Sequence, residues 1–375
     1  MTETVDLPIE GKRILICAGS GGAGKTTTAA AIAMRLASRG RRVVVLTIDP
    51  ARRLAQSLGL EELGNEARRV EPERFALAGI EMRGELWAMM LDAKRTFDEL
   101  VERYAPDPAA RDRLLGNRIY AEVSNAISGS QEYMAMEKLY ELDAEARYDA
   151  LVLDTPPTRN ALDFLDAPSR LSGFLDSRAL VALTGPGSRL LGRGSRLLLH
   201  ALKRIAGVQV MEDVSEFFAA VAGMTQGIRD RAARVEALLS GPSTAFLVIT
   251  SPRPDSVEEA ICFRRRLAER GMPFGGVILN RVHFRTGGFD GSVPSSELAE
   301  TLGAELGGKV ARSLEDVEAL AARDRRSAAR LEQALGQASV VSVPNLDDDV
   351  HDIAGLAALN ELLFGEGRAA DRETG

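Results

Sequence analysis

The chain has 375 residues, a formal net charge of −7 at neutral pH and only two cysteines. The length fits one large α/β domain with insertions, or two domains. The acidic balance argues against a general nucleic-acid binder, and two isolated cysteines argue against a disulfide framework or a zinc site. There is no N-terminal apolar signal core and no run of about 20 apolar residues, so we expect a cytoplasmic protein.

A strand, a glycine-rich loop and a helix are predicted near the N-terminus. Residues 13–18 (RILICA) form a short apolar run that is typical of a buried strand, and residues 19–26 (GSGGAGKT) match the phosphate-loop pattern G-x-x-x-x-G-K-[ST]. A helix is predicted over 25–39 and a second strand over 42–48. Two strands joined by a helix within about 40 residues indicate a parallel βαβ unit.

Four later apolar runs predict further strands of the same sheet, at 150–154, 244–250, 274–280 and 338–344. Parallel sheets bind their ligands at the carboxyl ends of the strands. The residues expected at those ends are Gly19, Asp49, Asp154, Thr250, Asn280 and Pro344. The predicted fold is therefore a phosphate-loop NTPase of the α/β class, with a mostly parallel sheet flanked by helices.

Two stretches interrupt this alternation of strands and helices. Residues 84–147 and 160–240 have mostly helical apolar spacing, and we interpret both as helical insertions in one domain that spans 12–364. The polar end, residues 365–375, is predicted to be disordered. Only one phosphate loop is present, which argues against a tandem pair of NTPase domains.

The phosphate loop predicts a nucleotide site. Its glycines allow backbone N–H groups to surround phosphate oxygens, and the N-terminus of the following helix adds partial positive charge. Lys25 is expected to reach the β- and γ-phosphates, and the Thr26 hydroxyl is expected to bind Mg²⁺. The predicted binding residues of the loop are Gly19, Ser20, Gly21, Gly22, Ala23, Gly24, Lys25, Thr26 and Thr27.

Two acids at strand ends are candidates for the magnesium site. Asp154 ends the run ALVLD, where an acid that holds Mg²⁺ through water is expected, although many strand ends carry an aspartate as a turn or helix cap. Asp49 ends the second strand and has the same two interpretations. Lys25, Asp49, Asp154 and Gln56 are the predicted catalytic residues, and Thr26, Asp49 and Asp154 the predicted metal site.

Five segments resemble, in sequence and order, the arsenical-pump and tail-anchored-protein-targeting ATPase family: GSGGAGKTT, VVVLTIDPARRLAQSLG, DALVLDTPPTRNALDFL, VITSPRPDSVEEA and VILNRV. The resemblance extends over about 12–364. It implies ATP and Mg²⁺ as cofactors and a dimer with nucleotide at its interface. It also implies that Asp49 belongs to the first switch, Asp154 to the second, and Asn280 and Pro344 to adenine contacts.

The chain departs from the family pattern at several positions. The family has a lysine at the position of Ser20, which crosses the dimer interface to the partner's phosphates, and an aspartate at the position of Gln56, which positions the attacking water. Arg52, Arg53 and Arg159 are extra cations near the expected site. Three interpretations stay open: slow hydrolysis, replacement of the lysine by an arginine, or a sister subunit that supplies it.

The expected function is a dimeric ATPase switch with slow hydrolysis, which delivers an apolar client or regulates a partner. The alternatives are a non-hydrolysing regulatory subunit in a heterodimer with a sister ATPase, and a partition-type ATPase that positions cargo. Trp87 and several methionines in the insertions could bind an apolar client, or they could be core residues. The basic leucine-rich stretch 185–207 could contact a membrane surface. Nucleic acid is not an expected partner.

Overall fold

The computed structural model describes residues 7–49, 52–118, 120, 131–155, 208–284, 295–335, 340–346 and 348–365. Within these ranges the strands are β1 (Ile14–Gly19), β2 (Arg42–Thr47), β3 (Arg68–Arg69), β4 (Glu85–Met90), β5 (Ala150–Asp154), β6 (Thr244–Thr250), β7 (Phe274–Val282) and β8 (Val340–Pro344). The helices are α1 (Lys25–Ser38), α2 (Arg53–Ser57), α3 (Pro72–Leu77), α4 (Ala93–Tyr104), α5 (Pro108–Leu115), α6 (Gln131–Ala144), α7 (Val208–Ser240), α8 (Pro254–Glu269), α9 (Ser295–Leu302), α10 (Ala304–Leu335) and α11 (Ile353–Phe364).

The described strands form one sheet in the order β3-β4-β2-β5-β1-β6-β7-β8, in which only the β3–β4 pair is antiparallel. The predicted class, an α/β fold with a mostly parallel sheet and flanking helices, is confirmed. Strand β5 lies between β1 and β2, so that Asp154 pairs in register with Cys17 on one side and with Thr47 on the other. This register brings the ends of β1, β2 and β5 together at one edge of the sheet, which is the edge where the phosphate loop begins.

The sheet is buried on both faces, as its continuous apolar strands require. Along β1, Ile14, Ile16 and Ala18 pack into the core cluster that contains residues of α6, α7 and α8. Leu15 and Cys17 face the opposite cluster, which contains residues of α1 and α11. Because successive side chains of a strand point to opposite faces, one apolar run supplies both cores.

The helical interpretation of 84–147 is wrong at its beginning, because residues 85–90 form strand β4. Leu, Ala and Met favour helices, so the local sequence LWAMM gave no strand signal. In the fold, β4 pairs in parallel with β2 along its whole length, and Leu86, Ala88 and Met89 are buried. Pairing and burial in the sheet override the intrinsic preference of these residues.

Helices do follow β4 from α4 onward. Asp92 and Asp107 cap α4 and α5 by accepting hydrogen bonds from Arg95 N and Ala110 N. A small third core lies between these helices and α7, and it includes Leu100, Leu114 and Met224. The second predicted insertion, 160–240, is described only from residue 208, and both the basic stretch 185–207 and the tail after Gly365 lie outside the described residues. Nowhere in the described ranges is a helix long and apolar enough to cross a membrane.

Most of the side chains considered as a client surface are core residues. Met89, Met134 and Met136 are buried in the core that contains residues of α6, α7 and α8, and Met224 is buried in the third core. Trp87 and Met90 are half-buried and pack against the two main cores. In the described part of the chain, the helical spacing of methionines therefore marks packing between elements, and the four buried methionines do not form an apolar client groove. The side chain of Met211 lies outside the described set.

A buried ion pair joins the helices on this face of the sheet. Arg231 of α7 lies within 2.6 Å of the Glu137 carboxylate of α6, and both side chains are almost fully buried. The Arg231 guanidinium also lies over the Tyr140 ring, 3.9 Å from its centroid. The second oxygen of Glu137, Oε2, has no hydrogen-bond partner among the described residues. Arg103 of α4 also approaches Glu137 Oε1, but at 3.9 Å, so Arg231 is the closer of the two cations that compensate the charge of the carboxylate.

Replacing Arg231 with Met should lower the free energy of unfolding by about 3–5 kcal/mol, because it removes the hydrogen-bonded partner of a buried carboxylate and leaves the more distant Arg103 as its neighbouring cation. The double variant Arg231→Met, Glu137→Leu should recover most of that loss, since two apolar side chains can fill the same space. Urea unfolding followed by circular dichroism measures both. A double variant as unstable as the single variant would show that the loss comes from packing and not from the unpaired charge.

Candidate functional site

The phosphate loop connects β1 to α1 at the carboxyl edge of the sheet. Gly22 and Gly24 have φ angles of 76° and 91°, in the left-handed region that glycine adopts without strain. Gly19 is required for a second reason: a Cβ there would lie 1.8 Å from the carbonyl oxygen of Ile249 on β6. The glycines of the motif therefore permit the positive φ angles of the loop and its close packing against β6.

Lys25, the first residue of α1, folds back over the loop. Its Nζ donates to the carbonyl oxygens of Gly19 at 3.0 Å and Ser20 at 3.1 Å. Burial lowers the pKa of Lys25, and the nearby carboxylate of Asp154 partly opposes that shift. The ammonium group therefore lies across the loop, where phosphate oxygens could replace the two carbonyls as acceptors of its hydrogen bonds.

Asp154 is the centre of a buried polar cluster. Its Oδ2 accepts hydrogen bonds from the hydroxyls of Thr26 at 2.6 Å and Thr47 at 2.8 Å. The side chain is completely buried, and burial raises its pKa to about 6, although the two hydroxyls and Lys25 oppose the shift. The cluster joins α1, β2 and β5, so the predicted Mg²⁺ residues Thr26 and Asp154 are in direct contact.

Thr47 was missed from the sequence. Its hydroxyl donates to Asp154 and also accepts a hydrogen bond from the backbone N–H of Asp49 at 3.1 Å. It therefore connects the two acids that were predicted to share the metal. The available signal was a hydroxyl residue at the end of the buried run RVVVLT, since a buried hydroxyl needs a hydrogen-bond partner.

The cluster has the chemistry that Mg²⁺ prefers. Hydroxyl and carboxylate oxygens are hard ligands, and Mg²⁺ in nucleotide sites is held by one or two protein groups, phosphate oxygens and waters. The second oxygen of Asp154, Oδ1, is buried and has no hydrogen-bond partner among the described atoms, so it can accept from a metal-bound water. Thr26 and Asp154 therefore fit a magnesium site, and Asp49 is the third candidate ligand.

The first-switch residues lie partly apart from this cluster. Asp49 is close to it through Thr47, and it forms an ion pair with Arg53 at 3.9 Å. Arg52 is exposed, has a φ of 55° and lies 3.9 Å from the carboxylate of Glu62. Gln56 is exposed on α2, outside the buried cluster. Of these two arginines, only Arg53 has an ion pair with a candidate site residue.

The residues expected to contact adenine lie at the ends of β7 and β8. Pro344 is half-buried and pairs with Val282. Asn280 is also half-buried, and its Nδ2 donates to the carbonyl oxygen of Ala23 in the phosphate loop at 2.9 Å. Thr27 is half-buried on α1. The predicted second-switch residues after Thr155, including Arg159, lie outside the described residues.

The sequence model of the anion-transporting ATPase family matches residues 12–286 of this chain. The chain belongs to this family. The matched range contains Lys25, Asp49, Asp154 and Asn280, and the match confirms the family that the sequence motifs indicated.

Curated relatives agree with this family. A Prosthecochloris vibrioformis protein named as an arsenical pump-driving ATPase is 33% identical over 160 residues, which are 43% of this chain and 36% of that protein. ATPase GET3 of Malassezia globosa is 29% identical over 216 residues, 58% of this chain and 57% of that protein. ATPase ARSA2 of Chlamydomonas reinhardtii is 26% identical over 271 residues, 71% of this chain and 67% of that protein. The chain thus spans between about a third and two thirds of the length of these relatives.

Proposed function

We propose that this protein is a Mg²⁺-dependent ATPase with slow turnover, which switches between two states of a dimer. The observation that carries the proposal is the buried cluster in which Asp154 accepts hydrogen bonds from Thr26 and Thr47, beside a Lys25 folded onto the phosphate loop. This arrangement provides a cation for the phosphates and hard oxygen ligands for a metal. The family of the chain supports ATP as the nucleotide.

Each part of the site has a distinct task in the proposed reaction. Lys25 leaves the carbonyls of Gly19 and Ser20 and binds the terminal phosphates, whose negative charge replaces two neutral acceptors. Thr26 and Asp154 hold the metal, and Asp49 orients water near it. Bound Mg²⁺ would neutralise charge on the phosphate oxygens.

Slow turnover follows from the side chains at two positions. Ser20 contributes no charge to a transferring phosphoryl group, whereas a cation supplied across an interface contributes about 10³–10⁵ in rate in well-studied phosphoryl-transfer enzymes. Gln56 can orient a water by hydrogen bonds but cannot accept its proton as a carboxylate can. We therefore propose that the protein acts through the conformation set by its bound nucleotide, and not through rapid ATP hydrolysis.

The output we propose is delivery of an apolar client or regulation of a partner protein. GET3-type and arsenical-pump relatives are precedents for a nucleotide-driven ATPase of this family. Four of the methionines that suggested a client groove, Met89, Met134, Met136 and Met224, are buried in cores, so they do not form the client surface. A homodimer is the simplest assembly, and a heterodimer with a sister ATPase is the alternative.

A second candidate is a non-hydrolysing regulatory subunit of such a heterodimer. It is favoured by Ser20, whose Oγ is buried without a hydrogen-bond partner in the described part of the chain, and by the exposed position of Gln56. In this case the chain would bind ATP through Lys25 and would need a partner to supply the missing cation.

The decisive experiment is the turnover of MgATP by the purified chain, with molecular mass measured by light scattering in the presence and absence of nucleotide. We expect slow phosphate release that falls to background in Lys25→Ala, because that variant loses the cation at the phosphates. Lys309→Ala is the matched control, since Lys309 is an exposed residue of α10 that pairs with Glu305 on its own helix.

The results separate the candidates. Slow turnover by a nucleotide-dependent dimer supports the ATPase switch. ATP binding without turnover, by a chain that stays monomeric, supports the regulatory subunit. A wild-type chain that binds no ATP would overturn both.

A further inference from the structure

We infer that Asn280 is a positioning residue for the phosphate loop. It thereby contributes to the affinity for the phosphates of the nucleotide, in addition to any contact with the base. This inference rests on the proposed nucleotide-binding function and adds a residue to its phosphate site. It is carried by the contact between the Asn280 amide and the loop, not by the location of Asn280 at the end of β7.

The amide of Asn280 is fixed in one orientation. Its Oδ1 accepts a hydrogen bond from the backbone N–H of Arg281 at 3.0 Å, and its Nδ2 donates to the carbonyl of Ala23 at 2.9 Å. A flipped amide would put an N–H against the N–H of Arg281 and an oxygen against the Ala23 carbonyl, so the flipped orientation is excluded by two repulsions. Arg281 has a φ of 63°, and its N–H points back to the side chain that precedes it.

This contact determines the direction of one peptide group in the loop. A trans peptide is planar, and its C=O and N–H point in opposite directions. Holding the Ala23 carbonyl toward Asn280 therefore turns the N–H of Gly24 away from Asn280. Backbone N–H groups of a phosphate loop are the groups that surround the phosphates, so the orientation of this one matters for binding.

The close approach of Asn280 also explains the residue at position 24. A Cβ on Gly24 would lie 2.4 Å from the Nδ2 of Asn280. At that distance any side chain at position 24 would displace the amide. Gly24 has a φ of 91°, and its carbonyl accepts from Thr28 N at 2.9 Å in the first turn of α1. The Asn280 amide thus packs directly on the backbone that joins the loop to the helix.

Binding of three ligands by Asn280→Ala tests the inference: MgATP, MgGTP and inorganic tripolyphosphate with Mg²⁺, each by titration calorimetry. Loss of one hydrogen bond that orders the loop should weaken all three by about tenfold. Tripolyphosphate has no base, so its loss of affinity measures the contribution of the loop contact alone. A thermal melt of each variant verifies that it is folded.

Arg281→Ala is the matched control. It alters the next residue of β7, whose guanidinium lies 4.0 Å from the exposed Asp349 carboxylate, and it leaves the Asn280 amide in place. We expect its affinities to stay within about twofold of the wild type, as for other surface substitutions.

The opposite pattern overturns the inference. If Asn280→Ala binds tripolyphosphate as the wild type does, or loses only its preference for ATP over GTP, then Asn280 is a base contact alone. If the wild type binds tripolyphosphate too weakly to measure, the affinity for MgGTP decides: a loss of about tenfold in Asn280→Ala supports the inference, and an unchanged affinity overturns it. A wild type that binds no nucleotide is a different result, which refutes the proposed function itself and the inference with it.

Discussion

We expect the free energy of unfolding of Asp154→Asn, relative to that of the wild type, to increase as the pH rises. The substitution should also remove the stabilisation of the protein by MgATP. In the wild type the carboxyl is completely buried and has a pKa of about 6, above its ordinary value near 4. The folded state therefore holds a proton that the unfolded state has released between about pH 4 and pH 6. The free energy of unfolding of the wild type falls through that window, and the loss is complete above pH 6.

Asparagine cannot ionise, so the variant lacks this contribution. Linkage predicts that the stability of the variant, relative to the wild type, increases by about 1–1.5 kcal/mol between pH 5 and pH 7.5. The unpaired amide N–H of the variant adds a constant cost that does not depend on pH, since the position of Oδ1 offers no hydrogen-bond partner among the described residues. The comparison across pH is therefore cleaner than a comparison at one pH.

Urea unfolding at pH 5, 6 and 7.5 measures the effect, with and without MgATP. Asp149→Asn is the matched control, because Asp149 immediately precedes the same strand but is half-exposed, and hydrogen bonds from Arg42 lower its pKa. Its effect on the pH dependence should be small and of opposite sign. Parallel stability curves for Asp154→Asn and the wild type would mean that the carboxyl has an ordinary pKa in the folded state.

Introducing a lysine by Ser20→Lys should accelerate ATP turnover of the dimer by a factor on the order of 10² or more. A second cation near the terminal phosphate neutralises charge that develops during phosphoryl transfer, and such cations contribute about 10³–10⁵ in related reactions. Ser20 is half-buried at the start of the loop, and a lysine can extend its ammonium group from such a position to solvent or to a partner subunit.

Ser20→Ala is the control for the substitution itself, since it removes the hydroxyl without adding charge. Phosphate release at saturating MgATP is the measurement, and Arg53→Ala should be measured beside it. Arg53 pairs with Asp49 at 3.9 Å and is therefore a candidate for the replacement cation. No acceleration by Ser20→Lys, together with a large loss in Arg53→Ala, would show that an arginine already performs this role.

Much of the nucleotide site follows from short-range sequence signals. The run RILICA, the glycines of the loop and the helix after Lys25 are encoded within about 25 residues, and each has a local physical cause: apolar β-branched residues for the strand, glycine for positive φ, and alanine-rich sequence for the helix. Six predicted strands were found within two residues of their observed bounds. The acid at the end of β5 was found in the same way, because a buried strand that ends on aspartate is a local pattern.

Other features depend on residues that are distant in the chain. Strand β4 has the composition of a helix and becomes a strand only by pairing with β2. The hydroxyl of Thr47 meets Asp154 across 107 positions, and the amide of Asn280 meets Ala23 across 257. The sequence alone therefore determined the class of the fold, the loop and its candidate residues, because these depend on local backbone preferences. The tertiary structure decided which side chains share a hydrogen bond, because strand order and packing bring together residues that no local pattern connects.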